Sequence, residues 1–528
     1  MLALVLNIRK SHILVLIAIA LATAGGARAS SLEMRPLALP EEIAGLNAFE
    51  VHADRGQFIV NGQARDGACV VALLNQQLSL VAIRRFPGSY PDYCRFAAFD
   101  SAGDIVLIGR ASSSAFPFTF DLYASQDWQN FILKLSRATL DVKFAIRVGL
   151  GALLTLAVAK DGSIWFGGYS IFGLPTTPDA IQPDYPGHSF IMSPRDRAGF
   201  LARLSPDGRR ILYCTYLAGL RDAVGAVSID PAGNVYAAGS QIWKFSSTGR
   251  LIWSTWLPPS STLRSAIGPS GDLYLVGSTG NGSLYTSPNA FQSTIYNPQS
   301  IPQAGAGNGY PGISVDGFVA RLSPDGEVIY STLMGGIGSD ELYGITVRAD
   351  GSALISGYTS GSLFPTRAAV AMLRRGTVLA SLSADGTSAG FSTYTLQATT
   401  HPAFFEDGTM LLLSYCDSSA LRVCAFRGTE SPDFLPRIDT LVDSKNLRGP
   451  LAPGANATIS GEGFSVVTSV TVGELPARIV SQSDCLLEIQ IPPNLPGVTP
   501  QTNFTGDVRL LRDGEVLRQI RIQVFPPR

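Results

Sequence analysis

The stretch DGFVARLSPDGEVIYSTLMGG, residues 316–336, sets two apolar runs on either side of Ser-Pro-Asp-Gly and nearly recurs as GFLARLSPDGRRILYCTYLAG at residues 199–219. Proline fixes φ and glycine accepts a positive φ, so each copy predicts a hairpin with a type I turn and bulge. LASLSADGTSAGFSTYT, IWKFSSTGRLIWSTWL, ILKLSRATLDVKFAIRV and VVALLNQQLSLVAIRRF are looser copies, and LRVCAFRG at 421–428 reads as a truncated one.

A second phrase lies between the hairpins. It opens on a turn glycine, runs through apolar residues and reaches another small residue six positions later: GQFIVNG from Gly56, GDIVLIG from Gly103, GSIWFGG from Gly162, GNVYAAG from Gly233, GDLYLVG from Gly271, GSALISG from Gly351 and GTMLLLS from Gly408. The second and fourth positions after the glycine are apolar in every copy, and the residue between them often is too. That pattern predicts an inner strand buried on both faces. With the hairpin and a run such as LYGITV, each unit offers four strands. Seven such units predict a seven-bladed β-propeller. A solenoid requires a stricter period, and two stacked sandwiches would not explain constant spacing inside seven copies.

At these residues the chain resembles the secreted bacterial SBBP-repeat family of seven-bladed β-propellers, with Asp316–Gly336 and Asp340–Gly357 following its repeat closely. The family's F-P-T-T-P-x-A-x-Q insert is visible in LPTTPDAIQ (174–182), partly in YTSPNAFQ (285–292) and vestigially in FPTR (364–367). The resemblance covers about residues 50–430 and implies a fold rather than an activity. The tail departs from the repeat: residues 453–493 resemble an IPT/TIG immunoglobulin-like domain, Gly461, Gly463 and Phe464 matching its G-x-G-F turn and Val472-Gly473 its V-G turn. The expected fold class is therefore all-β: a signal peptide over 1–29, a propeller over 30–435 and a small immunoglobulin-like sandwich over 436–528.

Bulk composition agrees. Of 528 residues 15% are charged and 46% hydrophobic, with 54 glycines and 33 prolines, as turn-rich β proteins require. A net charge of −1 without a Lys/Arg cluster argues against a nucleic-acid partner. At the N-terminus, Arg9 and Lys10 precede a dozen apolar residues, Ile13 to Ala24, and Ala27-Arg28-Ala29 gives a cleavage pattern before Ser30. This is an export signal too short to span a bilayer, so no membrane span is expected in the mature chain. Cysteine usage suits an oxidising compartment. Cys416 with Cys424 and Cys69 with Cys94 are candidate disulfides, while Cys214 and Cys485 read as buried thiols.

Chemistry is sparse. No His-x-x-His, Cys-x-x-Cys or Glu-x-x-His pattern, no G-x-S-x-G elbow and no calcium loop occurs, so neither a catalytic set nor a metal nor a cofactor is assigned. His52 stands where Phe99, Val158, Ile229, Ile267, Val347 and Phe404 stand in the other copies and reads as a core replacement. The adjacent Asp340 and Glu341 could form a carboxylate pair, but the resemblance places them in the family's acidic blade linker and implies a polar turn. Functional candidates are the long inserts at 170–199 and 278–316, which carry Tyr185, His188, Tyr285, Tyr296 and Tyr310 among Pro, Gly, Asn and Ser. Aromatics on propeller-face loops suit carbohydrate or peptide contact. The expected function is an exported, non-catalytic binding or scaffold protein with a carbohydrate, peptide or cell-envelope partner. The alternative is a propeller hydrolase or lyase with its site in the central channel. Two carboxylates, or a His–carboxylate pair within hydrogen-bond reach there, would favour the enzyme.

Overall fold

The computed structural model describes residues 33–526 except 88–92, 112, 123–129, 172, 187–196, 221, 258–259, 281–283, 295–314, 337, 362–363, 366–375, 395–401, 406–408, 418–421, 430–436, 445–450, 463, 465–466, 483–485 and 500–501. Residues 1–29, read from the sequence as a signal peptide, lie outside them.

Seven sheets follow one another along the chain, each a four-stranded antiparallel ladder, and the second carries one additional short strand. Blade one is Leu46–Asp54, Gln57–Ala64, Cys69–Asn75 and Leu80–Phe86, and blades two to six repeat that order. Their first strands are Tyr93–Phe99, Ala152–Val158, Ala226–Ile229, Ser260–Ile267 and Asp340–Val347, with Ala403–Phe404 in blade seven. First strands of successive blades lie against one another around the axis, and the sheets radiate outward from them. The fold is a β-propeller.

The glycine-bounded phrase is buried, as its run of adjacent apolar residues predicts, but it forms the second strand of each sheet. In blade six it is Ala353–Thr359, paired with Asp340–Val347 on one side and Gly376–Leu382 on the other. Two ladder partners and two covering blades explain why its apolar residues are nearly continuous. The strand lining the axis is the run before it, LYGITV in blade six.

In the Ser-Pro-Asp-Gly hairpins, Gly326 has φ 90° and donates to Ser323 O at 3.0 Å, while Ser323 Oγ accepts from Asp325 N and Glu327 N. The glycine has a second role. A Cβ on Gly326 would lie 3.1 Å from Trp253 of blade four, one on Gly249 2.7 Å from Tyr213, one on Gly208 3.1 Å from Phe144 and one on Gly386 2.4 Å from Tyr330. Each turn glycine thus seats on an aromatic in the outer strand of the preceding blade. The phrase recurs because turn and neighbour both require it.

Blade seven has only three strands from its own stretch of chain, Ala403–Phe404, Met410–Asp417 and Arg422–Thr429. Its fourth is Glu33–Leu37 from the N-terminal end, which pairs antiparallel with Arg422–Thr429. That pairing explains the truncated look of LRVCAFRG. The chain then passes through a short helix, Glu41–Ala44, whose Ile43 is buried with Leu46, Phe58, Phe405 and Leu411 in the seam between blades seven and one. Cys69 and Cys94 form a disulfide joining blades one and two, Cα to Cα 5.4 Å. Cys214 is a buried thiol pushed up to about 12 by burial. Cys424 stands opposite Ser414 in the ladder, with Cys416 at a register shift. The side chains of Cys416 and Cys424, and all of Cys485, lie outside the described residues.

The tail folds as seven strands in the order Arg437–Asp443, Asn456–Glu462, Leu486–Gln490, Leu475–Gln482, Ser469–Val472, Phe504–Arg512 and Glu515–Val524. Leu475–Gln482 pairs at its start with Ser469–Val472 and at its end with Leu486–Gln490, and so passes between the two halves of an immunoglobulin-like sandwich. Gly473, at φ 60°, makes the tight turn before it. Phe464 is fully buried, and Gln482 donates to its carbonyl at 2.6 Å.

Candidate functional site

Two regions concentrate the polar and aromatic groups that could act on another molecule: the axis, and the outer rim of blades three to five.

At the turn end of the first strands, Val158, Ile229, Ile267 and Val347 enclose a hollow of about 480 Å³ rimmed by Lys160 and Arg348. A second, of about 370 Å³, lies between His52, Ile345, Pro402 and Phe404. The positions equivalent to His52 therefore do face the axis. The core reading of His52 is corrected in one respect: its side chain is 25% exposed, with Nε2 3.4 Å from Glu50 Oε2. Residues two apart on a strand share a face, which brings the pair together.

Glu50 has further partners. Its Oε2 accepts from the amide of Phe96 in blade two at 3.0 Å, and its Oε1 lies 3.5 Å from Arg264 Nη2 in blade five. Arg264 stacks on the Phe96 ring, 3.8 Å from guanidinium carbon to centroid, and donates to Leu263 O at 2.7 Å. Burial lowers its pKa to about 10; Glu50 counteracts this and the neighbouring Arg95 adds to it. A chain of Glu50, Phe96 and Arg264 thus links blades one, two and five across the axis. Sequence reasoning passed over these residues. The available signal was charge inside apolar first-strand runs: Glu50 two before His52, and Arg264 three before Ile267. A bulge at Phe96, with φ 44°, and another between Thr262 and Arg264 shift the alternation, so apolar periodicity alone could not place them.

Other ionic groups repeat from blade to blade and are structural. Lys134 pairs with Asp100, Arg203 with Asp161, and Arg321 with Asp272, each cation on a third strand and each aspartate in or beside a turn. Asp340 is fully buried rather than a solvated turn residue, which corrects that expectation. It accepts from Gly336 N at 2.9 Å, and burial raises its pKa to about 6 against hydrogen bonding from Thr359 and Gly336. Asp316 is buried beside it: a Cβ on Gly335 would lie 2.8 Å from Asp340 Oδ2 and 3.0 Å from Asp316 Oδ1. No group of three or more metal-ligating side chains occurs among the described residues.

At the rim, the inserts cover sheet edges. In blade three Thr177 N donates to Cys214 O at 3.0 Å and Tyr216 N to Gln182 O at 3.1 Å. Blade five repeats this with Ser287 N to Ser331 O and Leu333 N to Gln292 O, both at 2.9 Å. Tyr185 packs edge-on against Tyr216, ring centroids 5.6 Å apart. Tyr285 is 58% exposed, and Trp256 in the outer strand of blade four is 60% exposed. Their neighbours Leu284 and Leu257 belong to one buried cluster. His188, Tyr296 and Tyr310 lie outside the described residues.

Residues 441–510 match the IPT/TIG domain family. None of the curated proteins compared matches the chain. Among solved structures, a protein of unknown function from Bacteroides caccae is 12% identical and covers 64% of this chain and 93% of its own, with a TM-score of 0.34. The C-terminal WD40 domain of Sif2 is 7% identical, covering 77% of this chain and 100% of its own at a TM-score of 0.40.

Proposed function

We propose that this is an exported, non-catalytic binding or scaffold protein of the SBBP-repeat kind, whose partner is a carbohydrate, a peptide or a component of the cell envelope. The observation that carries the binding reading is the pair of large exposed aromatics, Trp256 and Tyr285, above a shared buried cluster on the rim. Large rings exposed to solvent suit stacking on a sugar face or an extended chain. The N-terminal pattern and the Cys69–Cys94 disulfide support export to an oxidising compartment. The test is binding of the secreted chain to glycan and peptide arrays. A specific ligand lost on Trp256→Ala or Tyr285→Ala supports the reading; silent arrays together with turnover on a hydrolase panel would reject it.

The enzyme remains the second reading because Glu50 and His52 supply the His–carboxylate pair that would favour it. It ranks below binding because Glu50 is already engaged by Arg264 and by the Phe96 amide. Turnover abolished by His52→Ala in a chain of unchanged fold would reverse the order.

A further inference from the structure

We propose that the outer strand of blade four, Leu251–Trp256, is a docking edge for an extended segment of a partner protein carrying a sequence of the form Ser/Thr-Pro-x-Ala-x-Gln. The proposal rests on the binding reading and specifies its partner class.

The inserts of this chain display the recognition in cis. In blade three, Thr177 and Gln182 frame Pro178 and Ala180; in blade five, Ser287 and Gln292 frame Pro288 and Ala290. Both segments lie along the outer strand with the same bonds. The hydroxyl residue donates its N–H to the carbonyl of Cys214 or Ser331 and accepts their N–H on its side chain. The glutamine donates its N–H to the hydroxyl of Thr215 or Thr332 and accepts the next N–H, of Tyr216 or Leu333. Blade two uses the first half of the device, Thr119 with Ala145, and continues it as a short parallel strand, Phe120–Leu122. Blade six keeps another part, with Ser392 donating to Pro365 O and Phe364 N donating to the Tyr394 hydroxyl.

Among the described residues, blade four has the receiving half without the cap. Register aligns the blades: Lys244 opposes Trp253 as Arg203 opposes Tyr213 and Arg321 opposes Tyr330. Ser254, Thr255 and Trp256 therefore correspond to Cys214-Thr215-Tyr216 and to Ser331-Thr332-Leu333. In the capped blades the cap comes from the loop between second and third strands. In blade four that loop is only Gly239 and Ser240, too short to return to the edge. The exposure records the difference: Tyr216, Leu333 and Tyr394 are 1% exposed beneath their caps, whereas Trp256 is 60% exposed.

Another described edge without a cap, Leu80–Phe86 of blade one, carries Arg84 and Arg85, charges that discourage strand addition. Leu251–Trp256 carries none, and Leu251 and Ile252 are exposed beside Trp256. A strand-adding peptide gains main-chain hydrogen bonds from the edge and specificity from side-chain positions. Here the specifying side chain is the hydroxyl facing Ser254, while the glutamine position would meet the Thr255 hydroxyl through its backbone N–H, as in the two caps.

The test uses the full mature chain and a labelled synthetic peptide, LYTSPNAFQST, the chain's own blade-five cap, read by fluorescence anisotropy. Saturable binding is expected. Thr255→Val in the protein and alanine in place of the serine before proline in the peptide should each weaken it about tenfold, the loss of one hydrogen bond's free energy. Trp256→Arg should abolish it, with unchanged circular dichroism and melting as the folding control. Absent binding, or binding indifferent to Thr255→Val and Trp256→Arg, overturns the proposal. So does a concentration-dependent dimer dispersed by Trp256→Arg without peptide binding, which would assign the edge to a second copy. Array binding to a glycan that survives Thr255→Val and Trp256→Arg, with the peptide inert, would remove the docking edge while leaving the binding reading in place.

Discussion

Arg264 of blade five and Glu50 of blade one face each other across the axis at 3.5 Å, although 214 residues separate them in the chain, and Arg264 rests on Phe96 of blade two. Each group is at least four-fifths buried, so removing one leaves the other charged and poorly solvated. Arg264→Ala should destabilise the propeller by about 3 kcal/mol, read as a shift of the urea midpoint at unchanged slope. Arg264→Met, which keeps bulk against Phe96, should recover only the packing part. A midpoint unmoved by Arg264→Ala would show that the cross-axis contact contributes nothing to stability.

Asp340 gives the fold a pH dependence. Its folded pKa, about 6, lies above the ordinary value of 3.8, so the native chain holds this proton more tightly than the unfolded chain. The stabilisation is therefore complete below about pH 4 and lost as pH rises through about 6, amounting to about 2–3 kcal/mol. Asp340→Asn should flatten that part of the stability curve and raise stability near neutrality. Denaturation between about pH 4.5 and 7.5 checks this; parallel curves for the two proteins would refute it.

Ring closure by Glu33–Leu37 can be tested more cleanly than by a long truncation, because residues from Leu46 onward already belong to blade one. A chain starting at Ala38 loses one ladder and the partial burial of Leu37 against the seam, about 2–3 kcal/mol. Tm should fall. An unchanged melt would show that blade seven does not depend on its borrowed strand.

The Cys69–Cys94 disulfide closes a loop of 25 residues between neighbouring blades. On the chain-entropy estimate its removal costs about 3 kcal/mol. The double serine variant should therefore melt lower than the native chain, and reductant should lower the native melt without moving the variant. Equal melts for oxidised and reduced protein would contradict a bond in solution.

Much of the architecture was legible because its signals are local. A Ser-Pro-Asp-Gly turn dictates its hairpin within four residues, and a buried strand declares itself through apolar residues at adjacent positions. The position of that strand was not local information. A strand paired on both sides looks the same in sequence whether it is first or second from the axis, so the run lining the channel was not singled out. Asp340 shows a similar limit. An aspartate between blades normally reads as solvated, and its burial depends on Asp316 and Gly335 arriving from the neighbouring blade.

Repeat count, strand-turn-strand units, the immunoglobulin-like tail and the truncated last hairpin are all written in short-range pattern, where turn chemistry and alternation act on neighbouring residues. Distant contacts required the folded ring. It brings Glu33–Leu37 to blade seven, sets Arg264 between Glu50 and Phe96, and leaves Trp256 uncovered where Tyr216 and Leu333 are capped. Closure juxtaposes residues that share no local signal, and whether an edge is covered depends on the length of a loop elsewhere in its blade.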